Sequence, residues 1–304
     1  MAAVPAPGRA ISGAAFATLL LIALMMGANH VAARVAFNNG MGVATAVVFR
    51  SLVTAGVIVL ILVAQGVRPR FTARHRRALL AIGLLIGVQS LCLYSSVARL
   101  PVALALLAFN TYPIWTAFWS FVIYRKRPEK AMLVAMPVIL VGLALALDVF
   151  GAASGLGASG QWARIGAGVA FALAAAGTFG LALVLTQHEA GDVDGRVRTA
   201  TTMMLAGVVA LATVATQGGF QLPTAPAGWG GLAALTFLYG TAFTIMFTVL
   251  PRLGVVGNSA IMNVEPVFAL VLAWMILGQA IAPVQVGGAL LVVGAVMALG
   301  LRKR

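Results

Sequence analysis

The chain has 304 residues, 62% hydrophobic and 9% charged, with mean hydropathy +1.05 and formal net charge +14. A soluble domain carries roughly 25% charged residues, so the composition excludes a soluble enzyme or binding module and points to an integral membrane protein. The positive charge would suggest a nucleic-acid partner in a soluble protein, but its placement along this chain has another cause and excludes one.

Ten apolar segments can be read, each near the ~20 residues that cross a ~30 Å hydrocarbon core as a helix. They lack the alternation of a transmembrane barrel. The first covers about residues 12–36. It follows Arg9 like a signal peptide, but its length and the spans after it make it helix 1. The next four lie at about 43–64, 78–98, 102–124 and 131–150. The remaining five lie at about 164–187, 198–216, 230–250, 256–277 and 283–301. Short connections marked by proline or glycine join them, such as Arg68-Pro69, Arg127-Pro128 and Gly218-Gly219. The single cysteine, Cys92, sits inside an apolar segment, so there is no disulfide framework and no cysteine metal cluster.

Basic residues then orient the spans. Arg9, Arg68, Arg70, Arg74, Arg76 and Arg77 fall on one side, as do Arg125, Lys126, Arg127 and Lys130. Arg196, Arg198, Arg252 and the closing Arg302-Lys303-Arg304 join them, against Arg34, Arg99 and Arg164 opposite. By the positive-inside rule, both termini are expected in the cytoplasm. The charge is a topology signal.

The chain also repeats itself. Arg99, Asn110 and Pro113 recur at one constant offset as Arg252, Asn263 and Pro266. Val141-Gly142-Leu143 recurs as Val293-Gly294-Ala295, one position short of that offset. Two halves are expected, residues 1–155 and 156–304, with five helices each. Because five is odd, the second half enters the membrane from the opposite side, giving an inverted-topology repeat.

In such repeats, kinked helices at matching positions mark a binding site near the bilayer midplane. Asn110 and Asn263 each stand ~12 Å into their helix at ~1.5 Å per residue, approached from opposite faces. Pro113 and Pro266 follow them and read as hinges. The bland alternative is two kinks with asparagines holding helix contacts. Glu265 breaks the symmetry, with Tyr112 in its place in the first half. A carboxylate at membrane depth is costly, so Glu265 reads as a proton site, as a partner of the buried Arg50, or as both. Asn29 and His30 form a polar patch on helix 1, either part of a relay or an interhelical contact. Gln89 and Tyr94 are polar at depth on helix 3, where Gly83 and Gly87 read as close-packing positions. Trp115 and Tyr239 are candidate contacts for an aromatic group, or core filling. The sequence contains no phosphate-binding loop, which argues against an ATP-driven pump. It gives no catalytic residues, metal ligands or cofactor site.

The strings Gly27-Ala28-Asn29-His30-Val31-Ala32-Ala33-Arg34, Phe49-Arg50, Asn263-Val264-Glu265-Pro266-Val267-Phe268 and Gly287 to Gly294 resemble the drug/metabolite transporter superfamily, EamA type. Within it, the chain looks most like bacterial amino-acid exporters, including those for aromatic amino acids. The resemblance implies an all-α inner-membrane protein, multi-pass, with a central cavity lined by helices 3, 4, 8 and 9. It also implies an amino-acid-like small molecule and the lipid bilayer as partners, with export by alternating access. The family's Glu-Pro element maps onto Glu265 and Pro266, whereas the first half has Tyr112-Pro113, so export of lipophilic cations is the weaker expectation. A membrane enzyme or flippase is the reading from another class. The sequence sets no oligomeric state.

Overall fold

A computed structural model describes residues 13–67, 71–128, 130–248 and 264–301. The described residues are helical, with no strand among them. In order they form α1 (Gly13–Asn38), α2 (Val43–Ala64), α3 (Ala73–Val97), α4 (Val102–Phe109), α5 (Tyr112–Tyr124) and α6 (Lys130–Ala146). Then follow α7 (Gly157–Glu189), α8 (Gly195–Thr216), α9 (Pro226–Thr248), α10 (Glu265–Leu277) and α11 (Pro283–Leu301). Seven segments are long and apolar enough to cross a membrane, α4 and α5 together forming one of them. The apolar parts of α6, α10 and α11 are shorter. This is a multi-pass membrane protein.

Local chemistry sets several helix ends. The Thr72 hydroxyl accepts from the His75 amide at 3.2 Å, and the Asp194 carboxylate accepts from the Arg196 amide at 2.8 Å, capping α3 and α8. The span expected over 102–124 is broken rather than bent: α4 ends at Phe109 and α5 begins at Tyr112. Pro113 lies in the first turn of α5 and Pro266 in the first turn of α10. There the missing N–H would have had no intrahelical partner, and the fixed φ suits the helix. In the first half the break falls at Asn110-Thr111, so Pro113 does not kink a continuous helix but starts a new one. Both α5 and α10 end on a left-handed residue, Arg125 at φ 56° and Gly278 at φ 63°.

The helices pack across the middle of the sequence. α1 lies on α9 and α10, α2 on α8, α3 on α7 and α8, α5 on α7, and α6 on α11. The main buried cluster spans this seam, joining Leu104, Leu107 and Ile139 to Ala269, Val292 and Val296. Backbones come close where side chains are absent. Gly142 of α6 faces Gly288 of α11, and Gly83 and Gly87 of α3 face Leu205 and Val209 of α8. The packing role expected for Gly83 and Gly87 is what the fold uses.

Two polar knots hold the ends of the bundle. At one, Arg74 Nε and the Tyr124 hydroxyl each donate to Glu189 at 2.8 Å, tying α3, α5 and α7 together. At the other, Asp148 adopts φ 51° and accepts from the Ala153 and Ser154 amides at 3.0 and 2.8 Å. Those amides, led by Ala153, hold the Asp148 carboxyl below its usual range. A depressed folded-state value means the bonds stabilise fully above the unfolded value near ~3.9, and that this is lost as pH falls through the folded value. Asp148→Asn is accordingly expected to lower the melting temperature at neutral pH. The difference from wild type should narrow below about pH 4; a gap constant from pH 7 to pH 3 would contradict this account.

Candidate substrate site

The polar residues singled out in the sequence converge from five helices on one buried cluster. α1 supplies Asn29 and His30, α2 supplies Arg50, α3 supplies Gln89, Ser90 and Tyr94, α9 supplies Tyr239 and α10 supplies Glu265. Asn29, His30, Arg50, Ser90 and Tyr94 are each 3% exposed or less.

The cluster begins from a glycine. A methyl placed on Gly27 would come within 3.1 Å of the Ala269 amide nitrogen and of the Glu265 carbonyl oxygen. That bare surface lets the first turn of α10 lie directly on α1. His30, three residues further on, shares the face, and its Nε2 lies 3.3 Å from Glu265 Oε1. The His30 Nδ1 and the Asn29 amide nitrogen are buried without a partner among the described residues.

Arg50 is the second centre. Its guanidinium carbon lies 4.5 Å from the Tyr94 ring centre and 4.0 Å from that of Tyr239. Nη2 donates to Ser90 Oγ at 2.6 Å, while Ser90 donates in turn to Gln89 Oε1 at 3.3 Å. Tyr94 joins the two centres, donating its hydroxyl to Asn29 Oδ1 at 3.0 Å and meeting the His30 ring edge-on at 5.6 Å.

This arrangement corrects one expectation. Glu265 does not pair with Arg50: among the described residues its ion-pair partner is His30, and Arg50 is satisfied by two aromatic rings and a serine. The cause is helix rotation, since Gly27 turns the His30 face of α1 toward Glu265. Sequence reasoning passed over Ser90 and did not single out Gly27.

The remaining candidates divide. Tyr112 and Tyr239 are both within electrostatic reach of Glu265. Tyr112 also packs against Phe109 and Phe179. Asn110 is buried at the α4–α5 break. Trp115 belongs elsewhere: with Trp119, Leu173, Ala174, Gly177, Thr178 and Leu181 it lines an apolar cavity of about 410 Å³ between α5 and α7. Asn263 lies outside the described residues.

The chain matches the EamA-like transporter family over residues 13–147 and again over 166–301. The chain belongs to that family. The EamA-like transporter is also 25% identical over 242 residues to the threonine/homoserine exporter RhtA of Salmonella typhimurium LT2, covering 76% of this chain and 73% of the relative. The corresponding exporter of Escherichia coli K12 is 25% identical over 250 residues, covering 80% and 76%. One solved crystal structure superposes with a TM-score of 0.64 at 16% identity, covering 96% of this chain and 100% of the other, a likeness of fold alone. An EamA-like transporter moves its substrate across the bilayer, which makes this chain a transporter and not an enzyme.

Proposed function

We propose that this EamA-like transporter exports amino acids across the bacterial inner membrane by alternating access around the Glu265–His30–Tyr94–Arg50 cluster. The observation that carries the reading is that cluster: an acid and a cation, both drawn into the seam between the chain's two halves. Resemblance to exporters named for threonine and homoserine adds the direction and the substrate class.

The ten-span, two-half architecture belongs to the same proposal, with halves 1–155 and 156–304 and both ends cytoplasmic. Two family matches in one chain support it. So does a correspondence in detail. The offset from Arg99 to Arg252 also carries Gly27 to Gly180, and a methyl on Gly180 would meet the Thr116 nitrogen at 2.8 Å and the Trp115 Cβ at 2.9 Å. Phe268 and Ala269, which face Gly27, stand at that offset from Trp115 and Thr116. Arg125 and Gly278, the left-handed ends of α5 and α10, match as well. Each half thus sets the first turns of a Pro-opened helix, α5 or α10, against a glycine of the other, and in this reading the rocking surface runs through both contacts. The Arg74–Glu189–Tyr124 knot lies on the side rich in basic residues, and in this reading it closes the cytoplasmic end.

The test is efflux of labelled amino acids from cells lacking their own exporters. Threonine and homoserine are expected to leave fastest, with an aromatic arm reporting whether the tryptophan-lined cavity takes part. Faster movement of lipophilic cations than of any amino acid would replace this reading with that of a drug exporter.

A further inference from the structure

Arg50 carries more than the exporter reading uses. It is 3% exposed. The ion pairs among the described residues are His30–Glu265, Arg74–Glu189, His75–Asp192 and Arg196–Asp194. None of them includes Arg50. Buried charges in proteins are ordinarily paired, yet this guanidinium meets only hydroxyls, those of Ser90 and Tyr94, and its Nε is buried with no partner among the described residues. The Ser51 and Thr54 hydroxyls of the same helix are also buried without partners among the described residues. The group is held in place by Tyr94 and Tyr239, and stacking on rings leaves a guanidinium's in-plane N–H edge free for an acceptor.

Folding does not require a charge at such a place. The offset relating Gly27 to Gly180 carries Arg50 to Met203 on α8, an apolar side chain. Met203 is itself buried, with its sulfur 3.6 Å from the Tyr239 hydroxyl. One half therefore fills the position with a thioether, the other with a cation that has no counter-ion among the described residues.

We propose that Arg50 is the carboxylate anchor of the transport site: the substrate's carboxylate docks in the plane of its guanidinium, beside Ser90, as the counter-ion that none of the described residues provides. Tyr94 and Tyr239 position the anchor. Glu265, across the same tyrosines, is the complementary acid for an ammonium group. The two together select zwitterions over simple amines and cations. The choice of probes rests on the amino-acid exporter reading, and the experiment separates the two.

Thermal stabilisation of the purified full-length protein is measured with L-threonine, with N-acetyl-L-threonine, which keeps the carboxylate, and with 1-amino-2-propanol, which lacks it. Wild type is expected to be stabilised by the first two and not by the third. Arg50→Gln is expected to weaken both carboxylates by about tenfold or more, as loss of a charge-assisted paired contact does. Stabilisation by the amine equal to that by L-threonine overturns the anchor, as does a folded Arg50→Gln that keeps wild-type affinity. If Arg50→Gln does not fold, Arg50→Lys is read in its place. It retains the charge but not the planar fork, and unchanged affinity there overturns the anchor too. If no amino acid binds but 2,3-dihydroxybutyrate does, the amino-acid reading falls and the anchor stands. If no carboxylate binds, the anchor falls.

Discussion

Glu265→Gln is expected to reduce transport by about ten- to a hundredfold and to flatten its dependence on pH, while the protein still folds. Truncating one partner of a desolvated charge pair typically costs about 2–5 kcal/mol when the pair is fully buried. The Glu265 side chain is 23% exposed, so the lower part of that range applies. Glutamine keeps the volume and can still accept from His30, which is why the fold should survive. It cannot take up or release a proton, so any step that passes one between Glu265 and His30 stops. His30→Gln should give a similar loss, and the double variant little more than either single one, because coupled partners are not additive. Fluorescence-followed counterflow in liposomes from pH 5.5 to pH 8 measures all three. Wild-type rate and pH profile in Glu265→Gln would remove this carboxylate from the mechanism.

That expectation differs from one built on an Arg50–Glu265 pair. With Arg50 as its partner, Glu265 would stay ionised and serve as structural glue. Against His30 it faces an imidazole nitrogen at 3.3 Å, a partner without a permanent charge. Arg50 is then released from ion pairing and left with its rings. The two charged centres thus stand apart on either side of Tyr94, the carboxylate beside His30 and the guanidinium between its rings.

How far this was legible in the sequence differs from residue to residue. The apolar segments announced themselves, because a span needs a long unbroken run and little else in a protein has one. The first-half Asn-x-x-Pro element marks a helix break where a bend was expected. Proline was read as bending a helix that continues, whereas Pro113 opens one that has already stopped at Asn110. A sequence does not state whether the residues before a proline are wound. Asn29, His30, Gln89, Tyr94, Arg50 and Glu265 were chosen as polar groups at depth, and they do converge. Their pairing was not readable, since it depends on how each helix is turned about its own axis. Tyr239 and Trp115 were both chosen as aromatic contacts or core filling, yet Tyr239 joins the cluster and Trp115 faces the α5–α7 cavity. One signal for the missing rotation was present. Gly27 and Gly180 recur at the offset already found for Asn110 and Asn263, and a glycine kept on both sides of a repeat marks where two backbones meet.

Gly27→Val follows from that contact and is expected to stop transport. Even a single methyl at this position would lie 3.1 Å from two backbone atoms of α10, Ala269 N and Glu265 O, and neither can rotate away as a side chain would. Overpacking of this kind costs about 1–3 kcal/mol, so valine should lower the melting temperature by several degrees and alanine by less. The larger effect is on function. Moving α10 off α1 by even one ångström carries Glu265 beyond hydrogen-bonding distance of His30, breaking the acid–imidazole pair without touching either side chain. Gly180→Val is expected to disturb the matching contact with Trp115 and Thr116, where no such pair exists. Comparable losses of stability but unequal losses of transport, greater at Gly27, would show that proximity of Glu265 to His30 is what the glycine secures. Gly56 serves as control: a methyl there meets nothing within 4 Å, and Gly56→Ala should leave both quantities at or slightly above wild type. Equal transport by Gly27→Val and wild type would mean that the α1–α10 contact does not set the working geometry of the site.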